Sequence, residues 1–173
     1  MVNAANLSVL EPLRNGGQVQ IRALRPGDRS ALRLAVDRIS DRSLYRRFFG
    51  VRREFSDAEV SAFVEVDFKD EVALVAVSHE SGAEVIVAGA RYIVVRPGMA
   101  EIAFTVTDEF QGRGIASALL RHLTRLARAA GIVEFVAEVL PENAAMLRVL
   151  ERSGVPLKKK RESDVVHLTL QLG

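Results

Sequence analysis

Two features of this sequence have residue types that could work together as chemistry. One is the run Gln111-Gly112-Arg113-Gly114-Ile115-Ala116, which stands directly before an apolar stretch of helical period. The other is Glu101, the acidic head of the alternating segment EIAFTV at residues 101–106. A helix start leaves several backbone N–H groups without partners, and a Ser, Thr, Asp or Asn side chain usually satisfies one of them. None of those residue types stands before this helix. Glycines let another group come close to the backbone, and the free donors and the helix dipole favour an anion. The corner is therefore a candidate phosphate cradle, with Arg113 as an added charge. A carboxylate within reach of an amine can take its proton. The plain alternatives are a corner whose glycines serve turning only, and a solvated glutamate following the Pro97-Gly98 turn. Local pattern alone leaves both open.

The elements that must position these groups are legible in outline. With 173 residues, 49% apolar and 27% charged, the chain is expected to form one globular domain. The net charge of +2 and the sparse aromatics give no signal for nucleic acid. The absence of cysteine excludes a disulfide, a thiol nucleophile or a thiolate metal site, and fits a cytoplasmic location. No apolar run is long enough to span a bilayer. Residues 1–18 read as a flexible leader without signal-peptide character, ending at Gly16-Gly17, and residues 19–173 as the domain.

Residues 19–24 alternate as a strand. Asp28 is placed to cap a helix through about Arg38, and a second helix is expected over 42–49. Ser56 and Glu59 form a capping-box pattern ahead of a third. Strands are expected at 72–77, 85–95 and 101–106, the last with Ile102, Phe104 and Val106 on one face and Glu101, Ala103 and Thr105 on the other. A helix follows the glycine corner and closes at Gly131. A strand over 133–140 and a helix over 143–153 come next, then two strands joined by a charged bend at 158–164. This order is mixed α/β without regular βαβ alternation. His79, His122 and His167 lack metal-ligand spacing and read as surface or helix-face residues, so no metal site is expected. Arg121, Arg125 and Arg128 form a stripe whose default is a solvated face.

Known phosphate cradles can be tested against the letters. A P-loop needs Gly-Lys-Ser/Thr, which is absent, and a dinucleotide fingerprint needs a third glycine where Ser117 stands. The six residues 111–116 instead resemble the Q/R-x-x-G-x-G/A motif of the GNAT superfamily of N-acetyltransferases. AEIAFTV resembles that family's fourth strand, and VLPENAAMLRVLERSGV its asparagine-led helix. The segments SLYRRFF, VALVAV and EVLPENAAMLRVLERSG are similar to the catalytic domain of bacterial protein lysine acetyltransferases of the Pat type.

The resemblance implies a three-layer α/β/α sandwich with a mostly antiparallel, centrally splayed sheet. It implies acetyl-CoA as donor and a primary amine as acceptor, foremost a protein lysine such as one on an acyl-CoA synthetase. Under it, Glu101 is the general base. Backbone groups of Phe104, Thr105 and Val106 hold pantetheine, and Gln111, Gly112, Arg113, Gly114, Ile115 and Ala116 hold the pyrophosphate. Asn143 either contacts coenzyme A or caps its helix, and the two roles can coexist. The segment DRSLYRRFF lines an acceptor channel or packs as helix core. Leu150 stands where many members carry a tyrosine that protonates the leaving thiolate. The alternatives are a small-molecule amine acetyltransferase and a coenzyme A-binding sensor without chemistry.

Overall fold

The computed structural model describes residues 3–48, 54–80 and 82–173. Its strands are β1 (Ser8–Pro12), β2 (Gln18–Ala23), β3 (Glu71–Glu80), β4 (Ala83–Arg96), β5 (Met99–Val106), β6 (Glu134–Val139), β7 (Leu157–Glu162) and β8 (Val165–Gln171). Its helices are α1 (Arg29–Asp37), α2 (Asp41–Phe48), α3 (Asp57–Val64), α4 (Ile115–Ala129) and α5 (Ala144–Glu151). The strands form one sheet in the order β1-β2-β3-β4-β5-β6-β8-β7. Every neighbouring pair is antiparallel except β5 and β6.

Strand β3 explains the layering. A strand covered on both faces reads as a continuous apolar run rather than an alternating one. In VALVAV, Val72, Leu74 and Ala76 enter a core with Leu119, Leu123 and Leu126 of α4. Ala73, Val75 and Val77 enter a second core with Ala35 of α1 and Val64 of α3. Helices therefore lie on both faces of the sheet, as the mixed α/β sandwich requires. Local signals set several boundaries: Ser56 and Glu59 form the expected capping box at α3, and Asn143 caps α5 by accepting from the Met146 N–H. Among the described residues no helix is long and apolar enough to cross a membrane.

Five expectations are corrected. Part of the supposed flexible leader is strand β1, paired from Ser8↔Arg22 to Pro12↔Gln18 and flanked by buried Leu7 and Leu13. It is a sheet edge, where a proline at the strand end costs no ladder bond. The basic run at 158–161 lies inside β7, so the bend is confined to Ser163 and Asp164. Lysines on an exposed edge strand oppose pairing with another chain. His122 is buried rather than exposed, and its Nε2 lies 2.6 Å from Glu11 Oε1 on β1. Arg121 bonds the same carboxylate at 2.7 Å, so the arginine stripe is partly engaged. Asp28 stands at the N-cap position of α1 as expected but makes no side-chain cap bond there: its carboxylate receives Arg22 and the Arg25 N–H instead.

Candidate functional site

Strands β5 and β6 run parallel for only three paired positions, Met99↔Glu134 to Glu101↔Val136, and then part. The gap widens into a cleft of about 580 Å³ lined by residues 101–106 of β5, residues 137–139 of β6, the glycine corner and the length of α5. Glu101 sits at the apex of this opening, with its side chain exposed. Its lateral neighbours across the sheet are Ile93, 46% exposed, and Val136, half-buried.

Strand geometry decides which backbone groups face the cleft. The Thr107 N–H donates to Val87 O, towards β4. In an antiparallel pair a residue's N–H and C=O point to the same neighbour, and successive residues alternate. Phe104 and Val106 therefore turn their main-chain groups away from β4 and, past the last β6 pairing at Glu101↔Val136, into the cleft. The Val106 carbonyl accepts from Gln111 Nε2 at 3.1 Å on that side. Thr105 is a correction: its backbone lies in the ladder opposite Gly89, so its main chain is not available to a ligand.

The glycine corner has the form its letters imply. Gly112 and Gly114 adopt left-handed φ values of 76° and 91°, and α4 starts at Ile115 with no side-chain cap. A Cβ on Gly114 would lie 3.4 Å from Arg14 Nε, whereas one on Gly112 would meet nothing within 4 Å. Gly112, Gly114, Ile115 and Ala116 line the cleft. Uncapped N–H groups at a helix start favour an anion, and here the bare Cα of Gly112 faces open space. Gly114→Ala is expected to cost about 1–2 kcal/mol in stability through its backbone conformation. It should also raise the KM for an acyl-CoA donor more than Gly112→Ala does; chemical denaturation and steady-state kinetics measure the two effects.

Arg113 does not join the corner's open side. Its guanidinium stacks 4.7 Å above the Phe110 ring, and it is absent from the cleft lining. The cations lining the cleft among the described residues are Arg14, Arg46, Arg47, Arg148 and Arg152, against the acids Glu101 and Glu138. Sequence reasoning assigned none of these arginines to the donor site. Arg14 was hidden in the supposed leader, and Arg148 and Arg152 look like ordinary surface charges of a helix.

Helix α2 links the two lips of the cleft. Ser43 Oγ accepts from Gln111 Nε2 at 3.0 Å and lies 3.3 Å from Asp108 Oδ1, while Arg46 Nη2 donates to Glu142 O at 3.4 Å. Burial alone would raise the Asp108 carboxyl, but hydrogen bonds from Ser40 and Ser43 hold it below the usual range. Arg47 also lines the cleft, and α2 packs on β5. Burial, then the charge of Arg91, pushes its guanidinium down to about 10, with Glu101 opposing the change. Arg47 therefore remains a cation at neutral pH. Asn143 both caps α5, at 3.3 Å from the Met146 N–H, and lines the cleft. Leu150 is fully buried. The side chains of Tyr45 and Phe48, and the whole of Phe49, lie outside the described residues.

The model of the acetyltransferase (GNAT) domain matches residues 18–155. The chain belongs to the GNAT acetyltransferases. The family assignment makes it an N-acetyltransferase that uses acetyl-CoA. This GNAT chain is 34% identical to an acetyltransferase of Pseudomonas aeruginosa over 138 residues, covering 79% of this chain and 74% of that one. It is 38% identical to the acetyltransferase Pat of Mycolicibacterium smegmatis over 146 residues, which span 82% of this chain but 42% of the relative. The crystal structure of the GNAT domain of S. lividans PAT superposes with a TM-score of 0.85 at 36% identity, covering 95% of this chain and 96% of that one.

Proposed function

We propose that this GNAT enzyme transfers acetyl from acetyl-CoA to a lysine side chain of a protein, with Glu101 as the general base. The observation that carries this reading is the position of Glu101, exposed at the apex of the splay and within electrostatic reach of Arg47. Its immediate strand neighbours are the apolar Ile93 and Val136 rather than a ring of acids. A small polyamine needs a closed acidic pocket to be held, whereas a lysine carried by a folded protein brings its own binding surface. The similarity to proteins named Pat supports the same choice.

The chemistry follows from proton accounting. A lysine amine has a pKa of about 10.4, so freeing its lone pair near pH 7 costs roughly 4–5 kcal/mol. Glu101 takes that proton directly or through one water, and the amine nitrogen attacks the thioester carbonyl carbon. The C–N bond forms as electrons move onto the carbonyl oxygen; the backbone N–H of Phe104, facing the cleft, is the donor placed to receive it. Collapse breaks the C–S bond and releases the coenzyme A thiolate, and the surplus proton on the new amide nitrogen passes to that sulfur or to water, leaving a neutral amide. A thiol pKa near 8.5 makes that thiolate a tolerable leaving group, so the apolar Leu150 at the usual tyrosine position is compatible with turnover.

The test is a thiol-release screen with acetyl-CoA against a folded acyl-CoA synthetase, polyamines, amino acids and aminoglycosides. Release that depends on the synthetase, with an acetylated lysine found by mass spectrometry, is the expected result. Release with a small amine alone transfers the reading to that class. Tight acetyl-CoA binding with no release against any acceptor identifies a sensor and overturns the enzymatic proposal.

A further inference from the structure

We propose that the N-terminal hairpin completes the donor site, with Arg14 as a phosphate ligand at the glycine corner. The proposal rests on the reading of this cleft as an acetyl-CoA site. It starts from a displaced charge: Arg113 lies on Phe110, and Arg14 occupies the side of the corner that Arg113 leaves. The Arg14 side chain is exposed, lines the cleft, and passes within 3.4–3.9 Å of the Cβ position on Gly114. Gly114 thus leaves room for two things at once, a left-handed turn and the stem of an arginine from the β1–β2 turn.

The hairpin is fixed to the same helix that the corner opens. The Arg14 N–H donates to Arg113 O at 3.2 Å, and the Leu13 N–H closes the turn onto Gly17 O at 3.0 Å. One strand position earlier than Pro12, Glu11 holds both Arg121 and His122 of α4 through one carboxylate oxygen. Burial would raise the Glu11 carboxyl, but the hydrogen bonds from His122 and Arg121 hold it low, so it is charged at neutral pH. Two attachments, one at the start of α4 and one along it, therefore set where the Arg14 guanidinium can reach. A guanidinium presents a planar fork suited to phosphate oxygens, and a held stem reduces the ordering cost of using it. Acetyl-CoA offers two such groups, the pyrophosphate and the 3′-phosphate.

The experiment is calorimetric titration of the full chain with acetyl-CoA and with 3′-dephospho-acetyl-CoA, at low and high salt. Arg14→Ala is expected to weaken acetyl-CoA binding about 10-fold at low salt, the size of one lost charged hydrogen bond. Arg14→Lys should recover part of the loss, and the gap between wild type and Arg14→Ala should narrow at high salt. A loss that persists with the dephospho donor assigns Arg14 to the pyrophosphate, and one that vanishes assigns it to the 3′-phosphate; either supports the proposal. Unchanged affinity in Arg14→Ala, or a loss equal at both salt concentrations, overturns it while leaving the donor reading intact. Wild-type protein that does not bind acetyl-CoA overturns both.

Discussion

Replacing Glu101 by glutamine is expected to leave acetyl-CoA affinity close to wild type and to lower turnover at neutral pH by about 100-fold or more. The substitution keeps the size and hydrogen-bonding reach of the side chain and removes only its ability to accept a proton. Donor affinity should survive because the corner, the cleft-facing backbone of β5 and the lining arginines are separate from this side chain. The deficit should also shrink as pH approaches the acceptor's own pKa of about 10.4, where the amine arrives neutral and the base has less to do. A calorimetric titration and a pH series of initial rates check both parts. Turnover equal to wild type at neutral pH would remove Glu101 from the proposed role. A parallel loss of donor affinity would make it a structural residue of the splay instead.

How far this site could be read from the letters depends on the distance over which each signal acts. Uncapped Gly114 and the Asn143 cap are local: they follow from the residues within one helical turn, and both appear as expected. The alternation of β5 is equally local and places Glu101 and Thr105 on one face, but alternation says nothing about which edge of a strand is left open. That needed the register of β4 against β5, which puts the Thr105 backbone in the ladder and frees Phe104. Strand β1 failed for a related reason. Its five residues have a half-buried pattern too short to distinguish from coil, and its partner β2 lies across a Gly-Gly turn. With β1 read as leader, Glu11 and Arg14 had no position, and neither the burial of His122 nor the Arg14 contact with the corner had a visible cause. The splay itself is a tertiary feature, because β6 follows α4 in sequence and leaves β5 after three residues.

The largest loss of stability is expected from breaking one pair far from the cleft. Arg22 on β2 is 4% exposed and Asp28, between β2 and α1, is 7% exposed. They meet through two hydrogen bonds of 2.8 and 2.9 Å, and Asp28 also accepts from the Arg25 N–H at 2.8 Å. Glu84 is a more distant third partner at 3.5 Å. Asp28→Ala leaves a buried guanidinium with its main counter-ion gone and should cost about 3–5 kcal/mol. For a chain of 173 residues that corresponds to a fall in Tm of roughly 6–20 °C. A double variant, Arg22→Met with Asp28→Leu, removes both charges and should recover most of the loss, because the cost lies in stranding one charge. The pair also predicts a pH dependence. Burial would raise the Asp28 carboxyl, yet hydrogen bonds from Arg22 and Arg25 and the Arg22 charge hold it below its ordinary value. Its contribution is therefore complete above the unfolded aspartate pKa of about 3.9 and is lost as pH falls through the lower folded value. Denaturation curves across acid pH should show Asp28→Ala converging on wild type as the carboxyl is protonated. A gap of constant size down to the most acidic measurable point would mean that the pair holds α1 through shape rather than charge.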